Sequence, residues 1–443
     1  MISAAPTPSP IVSDPEDTLF TLSFRVDSTF IRPLTELVEA QSMKAGLGQA
    51  RARQFMLATE ELLSYLAGVL DNQQIQACLT PSATGLILQL RFPEDSTPLH
   101  HFNFATNRDQ YLHDEDAAEA LGLYIAARMV SDVHIAVEEQ SVFLSLAQDK
   151  PYPEIPPFAP AKHLNAPYKL IETPDHDTLE LACAHTLATV QSEHRLELIS
   201  QPERLSALIR AGLADAVVMT DSSGQIAGWL GWSQPNSRTA RFFGPYLFNV
   251  NEHDQHPLAV TLCEAMLSKI GKTRVHSVFA GTITTATPAE LFEQIQIPGR
   301  AEQPQFYRQL REETGSVVRC PAFLRSELAS VYDALFLIRQ IVPAPEPAQL
   351  TAQLSVFNVK LSTDQQSAQI QLLLAGQDFV AAMRTHLCFL QQHGITEVLA
   401  HCDLHDGWQA TCAGLLLDMD FNWYALEPEA GKGDVIILQY RTD

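Results

Sequence analysis

Residues 216–232 read AVVMTDSSGQIAGWLGW, and they predict the local architecture of the middle of the chain. Two apolar runs, 216–220 and 226–232, flank a polar segment, 221–224, that ends in glycine. This pattern is typical of a β-hairpin, because Asp, Ser and Gly favour the backbone conformations of a turn. A third apolar run at 240–247 predicts that the hairpin continues into a larger sheet.

Helix patterns alternate with strand patterns on both sides of this hairpin. Phe55 and Leu62 belong to an apolar stripe at helical spacing, which predicts a long helix over residues 48–70. Alternation at 19–26 predicts a strand, and a further helix is predicted around 288–295. Strands mixed with long helices predict an α/β to α+β multidomain fold, with an N-terminal α/β sandwich followed by mixed-sheet domains.

The bulk composition excludes several classes of function. The chain has 443 residues, 46% of them hydrophobic and 18% charged, as expected of a globular protein of roughly two to four domains. Its formal net charge of -23 disfavours binding to nucleic acids and to anionic membrane surfaces, since both need clustered Lys and Arg. Basic protein partners remain possible.

Cysteine usage and the first residues predict a cytoplasmic protein. The seven cysteines are scattered and form no C-x-x-C pair, which is typical of reduced thiols. Residues 1–17 are Pro- and Ser-rich and acidic, without the basic and apolar regions of a signal peptide. No apolar run is long enough for a membrane span.

Two proline-rich stretches, KPYPEIPPFAP and VPAPEP, predict stiff linkers between domains. The predicted division is a disordered tail at 1–17, domains at 18–149, 161–341 and 348–443, and linkers at 150–160 and 342–347.

Residues 57–66, LATEELLSYL, lie on the predicted long helix and resemble the N-box of histidine-kinase-like ATPases, in the anti-sigma-factor serine-kinase branch. The family has a Glu there, and four residues later an Asn that helps to hold Mg²⁺. Four residues place both side chains on one helix face. Glu61 matches the Glu, but Tyr65 replaces the Asn and lacks its amide oxygen.

Two further ATPase motifs have partial matches. The family's D-x-G-x-G box corresponds to residues 92–98, where Asp95 matches the Asp and both glycines are missing. Gly122 and Leu123 match the Gly-Leu pair that opens a helix in the family. The resemblance implies a Bergerat-type fold and nucleotide contacts from Glu61, Asp95, Gly122 and Leu123. Three alternatives are open for these residues. They have a purely structural role, they still bind ATP and Mg²⁺, or, least favoured, they support kinase activity.

The middle segment resembles GNAT-type N-acetyltransferases. Residues 216–232 look like the second and third strands of that fold, and 240–247 look like the fourth, followed by a helix. In the family a glycine-containing loop and the helix N-terminus hold the pyrophosphate of acetyl-CoA. Here residues 249–257, NVNEHDQHP, contain no glycine and add two carboxylates.

The resemblance implies that Leu247, Asn249 and Leu258 would lie along an acyl-CoA. Glu252, His253 and His256 are weak candidates for a general base. The aromatic residues of the predicted strands would line an acyl pocket or, as the favoured alternative, form plain core.

Residues 350–443 look like the later half of a second GNAT-type unit. Fusion of a kinase-like ATPase domain to GNAT-like domains in this order is found in a group of bacterial proteins. His401 and His405, with Cys402 between them, allow a zinc site in principle, but ordinary loop histidines are favoured and we predict no metal.

The ligand-binding motifs are incomplete, although the patterns of the folds are retained. This combination predicts a regulatory pseudoenzyme that binds a protein partner. One alternative is an active N-acetyltransferase that uses acetyl-CoA. The other is a sensor that binds ATP or ADP without catalysis. Whether the chain is an enzyme, its partner and its oligomeric state stay open at this stage.

Overall fold

The computed structural model describes most of the chain, and its mixed α/β architecture confirms the predicted fold class in that respect. The described residues are 18–70, 73–93, 102–103, 115–138, 141–156, 158, 164, 166–191, 195–282, 284–297, 305–312, 315–350, 352–362 and 366–441. The Bergerat-type assignment and the division into domains stay predictions. Within the described residues, no helix is both long and apolar enough to cross a membrane.

The N-terminal unit is an antiparallel five-stranded sheet with three helices. Its elements are β1 (Phe20–Arg25), α1 (Ser28–Lys44), α2 (Gly48–Val69), β2 (Gln74–Pro81), β3 (Gly85–Pro93), α3 (Glu115–Met129), β4 (Asp132–Glu138) and β5 (Ser141–Asp149). The strand order is β1-β2-β3-β5-β4. The apolar stripe of α2, including Phe55 and Leu62, packs on Leu88 and Leu90 of β3, so the predicted helix lies where its pattern requires.

The middle unit is a seven-stranded sheet. Its elements are β6 (Lys169–Ile171), α4 (His176–Thr189), α5 (Pro202–Arg210), β7 (Ala214–Thr220), β8 (Ile226–Ser233), β9 (Thr239–Leu247), α6 (Glu252–Ile270), β10 (Ser277–Thr282), β11 (Glu293–Ile295) and β12 (Gln305–Gln309). The order is β11-β12-β10-β9-β8-β7-β6, and β9 and β10 are the parallel neighbours that α6 connects.

The predicted hairpin is confirmed as β7 and β8. Asp221 Oδ1 accepts hydrogen bonds from the backbone N–H of Ser223 at 2.8 Å and of Gln225 at 3.0 Å, and Gly224 adopts a φ of 83°. A side chain that bonds its own turn, followed by a glycine in the left-handed region, explains the tight reversal. The helix predicted around 288–295 is wrong, because that segment forms a short 3₁₀ turn and β11.

A two-stranded parallel sheet leads into the tail. It comprises β13 (Ser316–Cys320), α7 (Arg325–Ala334) and β14 (Arg339–Pro343). The tail contains β15 (Val356–Ser362), β16 (Ser367–Leu374), α8 (Phe379–Gln392), β17 (Glu397–Asp403), α9 (Gly407–Leu417), β18 (Asn422–Glu427) and β19 (Val435–Arg441). Since β14 extends to Pro343, the first two residues of the predicted linker at 342–347 are strand.

The tail sheet repeats the topology of the second half of the middle sheet. Its order is β15-β16-β17-β19-β18, with β16 and β17 parallel and connected by α8. The middle sheet has the same arrangement in β8-β9-β10-β12-β11, with α6 as the connection. The assignment of the tail as the later half of a second such unit stays a prediction.

The units contact one another through buried polar pairs and shared apolar residues. Arg241 of β9 binds Glu427 of β18 at 2.5 Å, and both side chains are buried. Arg339 of β14 binds Asp434 through two nitrogen–oxygen contacts, at 2.6 and 3.1 Å. Phe279 of β10 packs in the same apolar cluster as the tail helices, so the middle and the tail share a core.

Candidate functional site

Two of the predicted nucleotide residues meet at the contact between α2 and α3. A Cβ atom added to Gly122 would lie 2.5 Å from Oε2 of Glu61, so the Glu61 carboxylate lies directly against α3 at the glycine. Leu123 is buried and packs in the N-terminal core. Asp95 lies outside the described residues. The structure therefore brings Glu61 and Gly122 together but gives Leu123 a packing role.

Tyr65, at the position of the expected Mg²⁺ ligand, belongs to the hydrophobic core. It is 5% exposed, and its ring stands edge-on to the fully buried ring of Phe102 at a centroid distance of 6.1 Å. An aromatic residue at this helical position extends the apolar stripe of α2 and gives a metal no amide oxygen. At the position where the resemblance predicts a Mg²⁺ ligand, the structure therefore has a core side chain.

The predicted acyl-CoA residues lie around the start of α6. Asn249 is exposed with a φ of 49°, Leu247 is half-buried, and Leu258 is buried beneath the helix. The first turn of α6 carries the carboxylates of Glu252 and Asp254. Carboxylates at this end complement the helix dipole themselves and repel a pyrophosphate, which would use the same N–H groups.

The three candidate general bases are all on the exposed first turns of α6. Glu252 and His253 face solvent. His256 Nε2 lies 2.9 Å from Oε1 of Glu290, and both side chains are more than half exposed. Water-exposed groups without a surrounding cleft are poorly placed for proton transfer in a closed site.

The parallel strands β9 and β10 are tied together beyond their last paired residues. Their register shifts near Ala280 and ends at Phe243 opposite Thr282. Farther along, Oγ1 of Thr284 donates a hydrogen bond to the carbonyl oxygen of Pro245 at 2.8 Å. This contact crosses the gap that an acyl-CoA would enter between the two strands.

The aromatic residues of the middle sheet are core, as the favoured alternative predicts. Trp229 packs against the rings of Phe243 and Tyr246, each at 5.7 Å, and all three side chains are buried. The indole N–H of Trp229 donates to Oγ1 of Thr186 at 2.7 Å. Burial raises the pKa of Tyr246 far above its usual value, so its phenol stays protonated.

The corresponding helix start in the tail is occupied by the chain itself. The backbone N–H of Gly376 donates to Oγ of Ser355 at 2.9 Å, and that of Gln377 donates to the carbonyl oxygen of Ala352 at 2.9 Å. Ser355 Oγ in turn donates to Oδ1 of Asp378 at 2.8 Å. The N–H groups of the two residues Gly376 and Gln377 before α8 therefore already have partners.

The histidines at the end of β17 do not form a metal centre. Alternation along the strand sends Cys402 into the core beneath the helices and His401 to the opposite face. Burial, with a contribution from nearby Arg241, lowers the pKa of His401 to about 3. Within the described residues, no group of three or more His, Cys, Asp or Glu side chains could hold a metal ion.

Comparison with known proteins yields distant structural neighbours alone. No family model matches the chain, and no curated protein matches it. The GNAT-family acetyltransferase of Staphylococcus aureus Mu50 is 12% identical over 33% of this chain and 100% of its own length, with a TM-score of 0.25. A chain of the SiaB–SiaC complex from Pseudomonas aeruginosa is 11% identical over 29% of this chain and 89% of its own, with a TM-score of 0.24.

A third neighbour was crystallised with ligands. The N-acetylglutamate synthase of Neisseria gonorrhoeae, in complex with coenzyme A and L-arginine, is 9% identical over 50% of this chain and 51% of its own, with a TM-score of 0.22. The neighbours thus include N-acetyltransferases, the family that the middle segment resembles. With TM-scores below 0.5, these similarities establish neither a family nor an activity for the chain.

Proposed function

We propose that the chain is a regulatory protein that acts by binding another protein, and that its ATPase-like and acetyltransferase-like units no longer bind their usual ligands. The observation that carries the proposal is common to the N-terminal and middle units. At both expected ligand positions the chain carries a side chain that does not suit the usual ligand, Tyr65 in one and Glu252 in the other.

The two changes are chemically different and lie in separate units. Tyr65 puts a buried ring where a metal ligand is expected. Glu252 puts a carboxylate where the middle unit would meet a pyrophosphate. In the tail, where no ligand site is predicted, the N–H of Gly376 donates a hydrogen bond to the hydroxyl oxygen of Ser355. Together they favour retained folds that support interactions over retained catalysis.

An exposed apolar surface near β13 and β14 supports protein binding. Phe336 is 91% exposed with a φ of 56°, in the left-handed region that aromatic residues rarely adopt. Ile338 is 69% exposed, and Val317 on the neighbouring strand β13 is also exposed. Since the chain carries a net charge of -23, the partner that fits best is a basic protein that contributes apolar side chains.

Calorimetric titration of the full-length protein with Mg-ATP and with acetyl-CoA tests the loss of the ligand sites. We expect no heat of specific binding from either compound. Micromolar binding of either one would overturn the proposal.

Chemical crosslinking followed by mass spectrometry tests the partner. We expect one basic protein to crosslink near residue 336 in the wild type, and its yield to fall at least about tenfold in Phe336→Ser/Ile338→Ser. Exposed Leu19→Ser is the matched control and should keep the crosslink. Crosslinks that persist in the double variant would place the partner elsewhere and remove this surface from the proposal.

A second candidate function is an N-acetyltransferase with an unusual cofactor loop. It is favoured by the intact order of the middle sheet, in which parallel β9 and β10 are joined by α6. Release of free thiol from acetyl-CoA, assayed over panels of amines and peptides, would support it. Background rates with every acceptor would leave the regulatory proposal as the better account.

A further inference from the structure

A cavity of about 1020 Å³ lies where the N-terminal, middle and tail units meet. Its walls come from β4, from residues 234–237 after β8, from β15, β16 and β17, and from residues 430–432. Cavities that hold small molecules in proteins usually span roughly 300–1,000 Å³. The space is therefore large enough for a metabolite-sized ligand.

The cavity lies on a face of the tail sheet that has no helices of its own, because the tail corresponds only to the second half of the middle sheet. In the middle sheet, α6 covers one face and α4 and α5 cover the other. In the tail, α8 and α9 pack on Ile370 and Leu372 of β16 and leave the opposite face without helices of its own. Gln369 and Gln371 point to that face and line the cavity.

The cavity wall is rich in neutral hydrogen-bonding groups. Gln371 is exposed at the floor, and His134 projects from β4 on the opposite side. Burial lowers the pKa of His134, so its imidazole is neutral at neutral pH. Asn358 spans the two sides, with Nδ2 lying 3.3 Å from the carbonyl oxygen of Val133.

Two carboxylates of the wall, those of Asp403 and Asp406, already have partners within the chain. Asp403 accepts hydrogen bonds from the backbone N–H of Lys432 at 2.6 Å and of His405 at 2.9 Å. Asp406 lies 3.8 Å from Nζ of Lys432. Burial raises the pKa of Asp132, and the nearby Lys360 opposes that shift only in part. Burying a further charge there without a partner of its own would cost free energy.

Trp408 adds an aromatic surface to the polar wall. Its ring is partly exposed and lines the cavity, whereas the other tryptophans, Trp229, Trp232 and Trp423, are buried. An indole face beside amide side chains suits a flat or ring-shaped ligand whose edge carries hydrogen-bonding groups.

We propose that this cavity binds an uncharged, ring-shaped small molecule that carries several hydroxyl or amide groups. Neutral saccharides and nucleosides share this chemistry. Such a ligand would contact all three units at once, and its binding would therefore stabilise one arrangement of the units over others. This goes beyond the proposed partner binding and does not depend on it.

Tryptophan fluorescence of the full-length protein provides a direct test, because Trp408 is the one tryptophan that acrylamide can readily reach. The probes are glucose, N-acetylglucosamine, uridine and adenosine, each paired with a charged counterpart: glucose 6-phosphate, glucosamine, uridine monophosphate and adenosine monophosphate. We expect at least one neutral probe to protect the fluorescence from quenching with a Kd of about 1 mM or tighter, and its charged counterpart to bind at least about tenfold more weakly. The sugar and nucleoside arms distinguish the two sources of the ligand.

Two variants link binding to the cavity. Gln371→Ala is expected to weaken the neutral probe at least about tenfold, whereas Gln391→Ala, on the exposed surface of α8, should leave its affinity unchanged. Calorimetry on Trp408→Phe replaces the fluorescence readout in that variant and should give weaker binding. The proposal is overturned if no neutral probe binds, if the charged counterparts bind more tightly, or if Gln371→Ala and Trp408→Phe both bind as the wild type does.

Discussion

The side-chain amide of Asn103 pairs with the backbone of β15 at Phe357 as a neighbouring strand would. Its Oδ1 accepts a hydrogen bond from the N–H of Phe357 at 2.8 Å, and its Nδ2 donates to the carbonyl oxygen of Ser355 at 2.9 Å. Asn103 and β15 are about 250 positions apart in the chain. The contact therefore ties the N-terminal unit to the edge of the tail sheet.

Asn103→Ala should weaken the contact between the N-terminal unit and the edge of the tail sheet. The substitution leaves a buried donor and a buried acceptor without partners, which costs roughly 1–3 kcal/mol each. We expect the amide of Phe357 to exchange its hydrogen at least about tenfold faster, as measured by hydrogen–deuterium exchange with mass spectrometry. Asn422→Ala, at an exposed site, is the control. Unchanged exchange around residue 357 in Asn103→Ala would show that the amide contact contributes little.

Removing one partner of the Arg241–Glu427 pair should lower the stability of the protein strongly. Removing both partners should lower it much less. Arg241→Met leaves a buried carboxylate uncompensated and should destabilise the protein by about 3–5 kcal/mol, whereas Arg241→Met/Glu427→Leu should recover most of that loss. Urea denaturation gives the midpoints.

The exposed pair of Arg32 and Glu36 offers a matched control, because Arg32→Met should leave the urea midpoint nearly unchanged. If Arg241→Met proved as mild as Arg32→Met, the buried pair would have to be solvated in solution.

Gly122→Ala should reveal the position of the Glu61 carboxylate. Alanine improves helix propensity by about 1 kcal/mol, but its Cβ would force the carboxylate to move. We expect Gly122→Ala alone to be close to neutral and Gly122→Ala/Glu61→Ala to raise the free energy of unfolding by about 1 kcal/mol.

Gly68→Ala in α2 is the control, since no atom lies within 4 Å of the added Cβ. It should stabilise the protein without a second change. A Gly122→Ala variant as stable as Gly68→Ala would mean that Glu61 does not lie against α3.

Two histidines, the buried His386 and the half-buried His401 beside the cavity, should make the protein less stable below neutral pH. Burial lowers the pKa of His401 to about 3 and that of His386 to about 4. An unfolded histidine has a pKa of about 6.5, so the unfolded state binds protons first as the pH falls below that value. Each histidine should therefore reduce the free energy of unfolding by up to about 1.4 kcal/mol per pH unit between pH 6.5 and its folded pKa.

Comparing urea midpoints at pH 7.5 and pH 5 measures this loss. His386→Gln and His401→Gln should each flatten the pH dependence, whereas His393→Gln, with an exposed ring, should not. Equal slopes in all variants would place the pH sensitivity in other groups.

Local patterns in the sequence predicted the elements but not the contacts between units. The hairpin at 216–232 and the helix over 48–70 follow from turn chemistry and from apolar periodicity, which act within a few residues. The same reasoning gave a wrong prediction for the segment 288–295, because its pairing with β12 outweighs a weak helical pattern.

The sequence predicts which residues of the resembled motifs are missing. It does not predict which contacts the folded chain makes at those positions. The sequence alone shows a tyrosine at position 65, where the ATPase resemblance predicts an Asn, and no glycine in 249–257. It gives no sign that Ser355 occupies the N–H of Gly376 or that Arg241 finds Glu427, since each depends on chain segments that meet only in the folded protein. The cavity beside Gln371 was missed for the same reason, because its walls come from three units.

The apolar cluster shared by the middle and the tail bears on how the protein can be dissected. Phe279 and Tyr307 of the middle sheet pack in one core with Phe357 and Met383 of the tail. A recombinant fragment that stops at the proline-rich stretch would expose those two aromatic rings to water and would tend to aggregate. Expression trials should therefore keep residues 161–441 together, even though the proline-rich stretch predicts a domain boundary near residue 342.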